Sequence, residues 1–389
     1  MYRANEWTYH PEFVVHVLND SVARLYTRIK PDEFLFIRQN DNSFQATVTV
    51  LCEVIRSYDD VRLLDTASVT YRYDINEKNS SKVIELIVPL KEKTELILHV
   101  RLLDGNKGYS EYYFVPVDHS GTSGRNDFLL TNQEGEPLFK NYINATDSIL
   151  VKYRDENVKS LYCKMYKREF ALPPPPFGFN VHTEFDYHPD SLFLVSVNSS
   201  QAIVLSGEGF YHLQSDTSKK PGLTVYRYCT NFPLITTPQQ MIDQIRYLTN
   251  KKEFEELKKK EPVKSGVDEF WLTRGSRNEE KTRTLIKKYY SRVQEANRLF
   301  SSHVEGWKTD RGMIHLVFGS PTTVFKSEGS ETWIYGTASS PLSVNFFFVK
   351  VDNPFTVNDY MLSRAPIYES SWYRAVEIWR QGRPYNSFY

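Results

Sequence analysis

Two stretches of this 389-residue chain gather side chains that could do chemistry. The first is His182-Thr183-Glu184-Phe185-Asp186-Tyr187-His188. On an extended backbone alternate side chains share a face, so His182, Glu184, Asp186 and His188 would present two imidazoles and two carboxylates. Such donors suit zinc or a similar divalent ion. Spacing by two along one strand, however, spreads them over about 20 Å, too far for one ion without a bend. A polar, solvent-facing strand is the expected role, with no metal and no cofactor. The second stretch is Gly306-Trp307-Lys308-Thr309-Asp310, followed by Arg311-Gly312 and the apolar run from Met313 to Phe318. Asp310, with His303 and Glu305 before it and His315 after it, could form a hydrolytic or ligand-binding site. A structural reading accounts for more of the residues. Gly306 suits a turn out of a helix, and Trp307 is a large anchor. Thr309 and Asp310 carry short oxygen side chains that can hold a turn, and Gly312 supplies a permissive backbone.

No other motif names a reaction. The chain lacks a G-x-S-x-G elbow, a phosphate-binding loop, a dinucleotide glycine fingerprint and an H-E-x-x-H helix. Cys52, Cys163 and Cys229 are far apart and form no CxxC, which argues against structural zinc or a redox dithiol. Buried free thiols are expected, with one disulfide allowed if the protein is exported.

The elements that would position these residues fall into three parts. Residues 1–118 alternate apolar and polar side chains with period two, in about eight runs separated by turn-forming Asn, Asp, Ser and Gly. That pattern predicts an antiparallel β-sandwich, immunoglobulin-like in outline. A small polar segment, Asp118 to Arg125, leads into a second β-rich domain at 126–234. There the runs 202–205 and 210–213, flanking Ser206-Gly207-Glu208-Gly209, read as a hairpin. Pro173-Pro174-Pro175-Pro176 reads as a stiff connector that cannot join a sheet interior. Residues 235–389 form the third domain. Thr237-Pro238 opens a first helix, and a second of about 20 residues starts near Asn278 with Leu285, Tyr289, Val293, Ala296 and Phe300 on one face. Strands are then expected at 313–318, 332–335, 344–351 and 359–362, with a closing helix from Ser370 to Arg380.

Bulk composition narrows the partners. Lysine plus arginine equals aspartate plus glutamate, 48 against 48, which leaves no global attraction to nucleic acid or anionic membrane. No apolar run approaches the roughly 20 residues of a membrane-spanning helix, and no signal peptide opens the sequence. Aromatics reach 14%, with 26 tyrosines and 24 phenylalanines, as sheet cores and interfaces favour.

The Gly306–Asp310 string does not stand alone. Glu269-Phe270-Trp271 precedes the long helix, Tyr289-Tyr290-Ser291-Arg292-Val293 and Ala296-Asn297 lie within it, and Glu331-Thr332-Trp333-Ile334-Tyr335 follows. In this order they resemble the GWxTD domain family over roughly residues 235–350. The chain departs from common members after Trp271, where Leu272 to Arg277 replaces a proline-containing stretch. The resemblance implies a cell-envelope setting in Bacteroidota and related bacteria, often as exported proteins or outer-membrane lipoproteins. It carries over no catalytic residues. The expected function is therefore a non-enzymatic envelope scaffold, periplasm-facing, within an outer-membrane assembly such as secretion or outer-membrane protein biogenesis machinery. Other envelope proteins are its expected partners, and a lipid anchor is compatible with that setting. A hydrolase or ligand-binding enzyme centred on His303, Glu305, Asp310 and His315, and a carbohydrate-binding protein using exposed aromatics, are the alternatives.

Overall fold

The computed structural model describes residues 8–121, 123–179, 185–337 and 343–385. They fall into two compact units. One comprises Glu6–Lys167 and Pro189–Arg227; the other comprises Arg168–His188 and Tyr228–Tyr389.

The first unit is built of antiparallel β-sheets. Its amino-terminal strands are β1 (Glu12–Val17), β2 (Val22–Ile29), β3 (Ile37–Arg38), β4 (Phe44–Ile55), β5 (Leu63–Asp74), β6 (Lys82–Pro89), β7 (Glu95–Asp104) and β8 (Tyr109–Asp118). One sheet has the order β1-β2-β6; in the other, β3, β4, β7 and β8 follow one another while β5 pairs with β4. The predicted alternation is plain in β4, where Ala46, Val48, Val50, Cys52 and Val54 are buried and the residues between them are not. Both sheets contribute to one apolar core.

Seven further strands complete the unit: β9 (Phe128–Thr131), β10 (Ser148–Tyr153), β11 (Ser160–Tyr166), β12 (Ser191–Ser196), β13 (Ile203–Val204), β14 (Gly209–Gln214) and β15 (Leu223–Arg227). They form the sheets β13-β10-β9 and β12-β11-β14-β15 around a separate core. The expected hairpin of 202–205 with 210–213 does not form, because β13 pairs with β10 while β14 lies between β11 and β15. The cause is local. Gly209 has φ +138° and approaches the Tyr166 carbonyl so closely that a Cβ would lie 2.3 Å from it. The glycine therefore admits β14 beside β11 instead of turning it back on β13.

The second unit mixes helices with an antiparallel sheet. Helices α1 (Pro238–Gln244), α2 (Lys251–Lys258), α3 (Val263–Arg274), α4 (Glu279–Phe300) and α5 (Asp310–Phe318) precede β16 (Thr323–Lys326), β17 (Ser330–Tyr335), β18 (Val344–Lys350) and β19 (Tyr360–Leu362), and α6 (Glu369–Arg380) closes the run. Starts follow the expected cap chemistry. Thr237 and Gln240 form a reciprocal capping box on α1, and Asn250 and Asn278 cap α2 and α4. Two expectations are corrected. The helices before the sheet number five among the described residues and not two: the expected first helix is followed by separate helices α2 and α3, the latter with no clean apolar stripe, and α5 is added after α4. The run 313–318 is the body of α5, not a strand. All nine residues of α5 are buried, so no polar face reveals the helical period. None of the described helices is long and apolar enough to cross a membrane.

Candidate functional site

The signature string sits where α4 hands the chain to α5. After Phe300, Ser301 donates its hydroxyl to the Asn297 carbonyl at 2.6 Å, and the Gly306 amide donates back to that hydroxyl at 2.9 Å. The Asn297 side chain also accepts from the Trp307 amide at 3.2 Å. A tight 3-10 turn over Gly306–Lys308 thus lies against the last turns of α4. Both glycines are required by this approach. A Cβ on Gly306 would come 1.9 Å from the Ala296 carbonyl oxygen, and one on Gly312 would come 1.8 Å from the Gly306 carbonyl oxygen. Thr309 is the N-cap of α5: its Oγ1 accepts from the Gly312 amide at 3.0 Å and donates to the Gly306 carbonyl at 2.8 Å. Trp307 is buried, edge-on to Tyr247, whose hydroxyl donates to the Trp307 carbonyl at 3.0 Å.

Asp310 opens α5, where the helix dipole favours a carboxylate. It accepts from the Leu362 amide at 2.7 Å and pairs with the Arg364 guanidinium through both nitrogens of its fork. Burial raises its carboxyl above the ordinary range, with Arg364 pulling the other way. Arg364 also donates to the Pro174 carbonyl at 3.0 Å, and the Ala365 amide donates to the Pro176 carbonyl at 3.1 Å. The tetraproline stretch is thereby tied to the signature aspartate through one arginine.

Arg311 makes a second buried pair. Its guanidinium lies 3.3 Å from both Glu331 oxygens, 4.1 Å from the Tyr360 ring centre and 5.2 Å from that of Phe300. The Trp333 indole donates to the same carboxylate at 3.0 Å, and Lys326 stands 3.1 Å away. Burial alone would raise Glu331; Lys326 and Arg311 overcome it and leave the carboxyl below its ordinary range. At the other end of α5, Arg292 donates to the Leu316 and Val317 carbonyls at 3.3 and 3.1 Å. It neutralises the helix terminus, while burial lowers its own pKa to about 10.

Gly306, Trp307, Thr309, Asp310 and Gly312 are assembled into one bonded turn. Of the proposed reactive group, His303 lies 3.0 Å from the Asn353 amide nitrogen and edge-on to Phe170. Glu305 pairs with Lys308, and His315, on helix α5 rather than a strand, bonds Glu295 at 3.0 Å. The closest partners of these four differ, although Asp359 lies 3.9 Å from His303 and also acts electrostatically on Asp310. Of the metal candidates, His182 and Glu184 lie outside the described residues. Asp186 accepts from the His188 amide at 2.9 Å and neighbours Arg168 at 3.5 Å, and the described residues 185–190 form no strand. No group of three or more His, Cys, Asp or Glu able to hold a metal occurs among the described residues. None of Cys52, Cys163 and Cys229 is in a disulfide, and burial pushes Cys52 and Cys163 up to about 12.

Sequence reasoning missed Arg364, Tyr247 and the Arg311–Glu331 pair, since partners distant in the chain leave no local period. It also missed a cavity of about 890 Å³ lined by Pro173 to Pro175, Tyr247, Trp372 and Tyr373. Its arginines are occupied: Arg380 donates to the Leu248 carbonyl at 2.9 Å and to Glu253 at 2.7 Å, and Arg246 donates to the Thr249 carbonyl at 2.8 Å.

Residues 209–381 match the family model of the GWxTD domain. The chain carries a GWxTD domain, and the residues that mark it are those bonded around α4 and α5. No curated protein matches the chain.

Proposed function

We propose that this GWxTD protein is a non-enzymatic scaffold of the cell envelope. In this reading it faces the periplasm as a subunit of an outer-membrane-associated assembly, of the kind that serves secretion or outer-membrane protein biogenesis. One observation carries the non-enzymatic part: the oxygen side chains of the signature, Thr309 and Asp310, are bound to backbone or to a buried arginine, so neither is left to meet a substrate. Asp310, held by Leu362 and Arg364, is the clearest case. A reactive carboxylate needs an open approach and a proton to move. The envelope setting rests on the family resemblance. The amino-terminal sheets, read as an immunoglobulin-like sandwich at 1–118, and the second β-rich domain at 126–234 would supply rigid surfaces for partner proteins.

The hydrolase reading needs His303, Glu305, Asp310 and His315 to share a cleft, and their differing closest partners give it no support. The carbohydrate reading would use Tyr112 and Phe114 on the outer face of β8. Both rings lie nearly parallel to His99, at 5.1 and 4.7 Å, so one face of each is already covered. Sugar stacking would be left the remaining faces.

Isolation of the full chain from its native membranes in mild detergent, with identification of the co-purifying chains, tests the scaffold reading. The expected result is a stable complex with envelope proteins. A soluble species with no stable protein partner would overturn it.

A further inference from the structure

Several other sheet edges in the first unit are guarded. The outer edge of β15 is taken by the passing chain, since the Tyr226 amide donates to the Asn141 carbonyl at 2.7 Å and the Ile143 amide donates to the Tyr226 carbonyl at 2.9 Å. The edge of β9 is covered in the same way, by Leu138 on Leu130. Strand β5 carries Asp65, Arg72 and Asp74, and β8 carries Glu111 and Pro116. Charges, prolines and covering segments are the devices that keep edges from pairing with other chains.

Among the described residues strand β12 shows none of these. Its sequence is Ser191-Leu192-Phe193-Leu194-Val195-Ser196, with no charge and no proline. Among the described residues it pairs with β11 alone, in unbroken register from Ser160 opposite Ser196 to Met165 opposite Ser191. Leu192 is 53% exposed, Phe193 38% and Leu194 61%. Register sorts these side chains by face. Phe193 and Val195 stand opposite Cys163 and Leu161, both buried, on the core side. Leu192 and Leu194 stand opposite Lys164 and Tyr162 on the outer side.

We propose that β12 is a self-association edge, pairing antiparallel with β12 of a second copy of this chain about a two-fold axis at Phe193. The strand itself selects that occupant. Read in either direction from Phe193 it presents leucine on the outer face, so the edge is complementary to its own copy, as an isologous interface requires. A two-fold axis normal to the sheet keeps inner faces inner and outer faces outer only if a residue is matched with one an even number of places away. Centring on Phe193 satisfies this. Phe193 meets the second Phe193 at the core-side margin, and Leu192 of each copy meets Leu194 of the other. The four leucines leave water together, and no like charges face each other on the paired strands. The two four-stranded sheets become one of eight. This goes beyond the scaffold reading and does not depend on it, since the pairing needs no envelope partner.

Cysteine cross-linking in full-length protein tests the register, with Cys163→Ala/Cys229→Ser as background, since Cys163 stands opposite position 193 and would capture a cysteine there within one chain. Residues directly opposite in an antiparallel pair have Cα atoms about 4.5–5.5 Å apart, inside disulfide range, whereas residues displaced by two places are not. Phe193→Cys is therefore expected to give a covalent dimer under mild oxidation, and Leu194→Cys is expected to give little. In parallel, sedimentation of the unmodified chain across about 1–100 µM should show a reversible monomer–dimer equilibrium, weak as suits an interface below about 1,200 Å². Leu192→Lys/Leu194→Lys should be monomeric throughout with an unchanged circular dichroism spectrum; both side chains point outward, so the variant keeps its fold. A parent that stays monomeric across the range, a dimer that survives the lysine pair, or equal cross-linking at 193 and 194 would each overturn the proposal.

Discussion

The two units handle their unusual residues in opposite ways. In the helical unit the recognisable residues are buried and bonded to one another: Asp310 to Arg364, Arg311 to Glu331, Asn297 to Trp307, Arg292 to the end of α5. In the β unit the unusual residues are at the surface, as a bare apolar edge on β12 and a stacked row of His99, Tyr112 and Phe114 on the large sheet. The difference separates two things that a family signature can mean. This signature marks positions that are buried and bonded to one another, while the exposed apolar edge of β12 lies in a part of the chain the signature does not touch.

Breaking the buried pairs gives the largest effect expected. Asp310→Ala leaves Arg364 buried with its strongest partner gone, a change that costs about 3–5 kcal/mol when one half of such a pair is removed. Denaturant unfolding of Asp310→Ala, Arg364→Ala and the double variant should show strong coupling, the double variant losing far less than the sum. Gly306→Ala follows, at about 3 kcal/mol, since the added methyl meets a backbone carbonyl that cannot rotate away. Parent-like stability in either would remove the contrast between the units.

The β unit has its own buried titratable group. His212 is held by Thr224 at 2.8 Å and the Lys220 carbonyl at 2.9 Å, and burial lowers its pKa to about 4. A base that the fold keeps neutral lends stability above its unfolded value near 6.5, and loses it as pH falls towards 4. The stability gap between parent and His212→Gln should therefore narrow on the order of 3 kcal/mol from pH 7 to pH 4. A gap that widens would contradict the sign. Glu331 loses its contribution in the same direction but at lower pH: its carboxyl lies below the ordinary range, so the contribution is present above about 4.5 and is lost only at more acid pH. Removing exposed rings should do least. Tyr112→Ala should shift stability by no more than about 0.5 kcal/mol in thermal melts.

How far the sequence could be read depended on whether one side of an element stays wet. The strands of the β unit alternate because their outer faces meet water, and α4 shows its stripe for the same reason, so these were legible. Helix α5 was not. Buried on every side, Met313 to Phe318 has the composition of a core strand, and only Thr309 three residues before Gly312 signalled a cap. Helix α3 was hidden by Gly266, which lets the helix pack so close to Leu257 that a Cβ there would lie 2.4 Å from the Leu257 carbonyl oxygen. The signature's glycines and Trp307 could be read as a joint from residue type alone. Arg364 and Glu331 could not, because each is matched to its partner by folding and not by spacing.

The central claim is that the signature holds the GWxTD unit together. Hydrogen exchange on full-length Trp307→Ala tests it most directly, since truncating a buried tryptophan costs about 3–5 kcal/mol. The account predicts lost protection across α1 to α6 with parent-like protection retained in β1 to β15. Parent-like protection throughout, with loss only of a separable binding or catalytic activity, would contradict it.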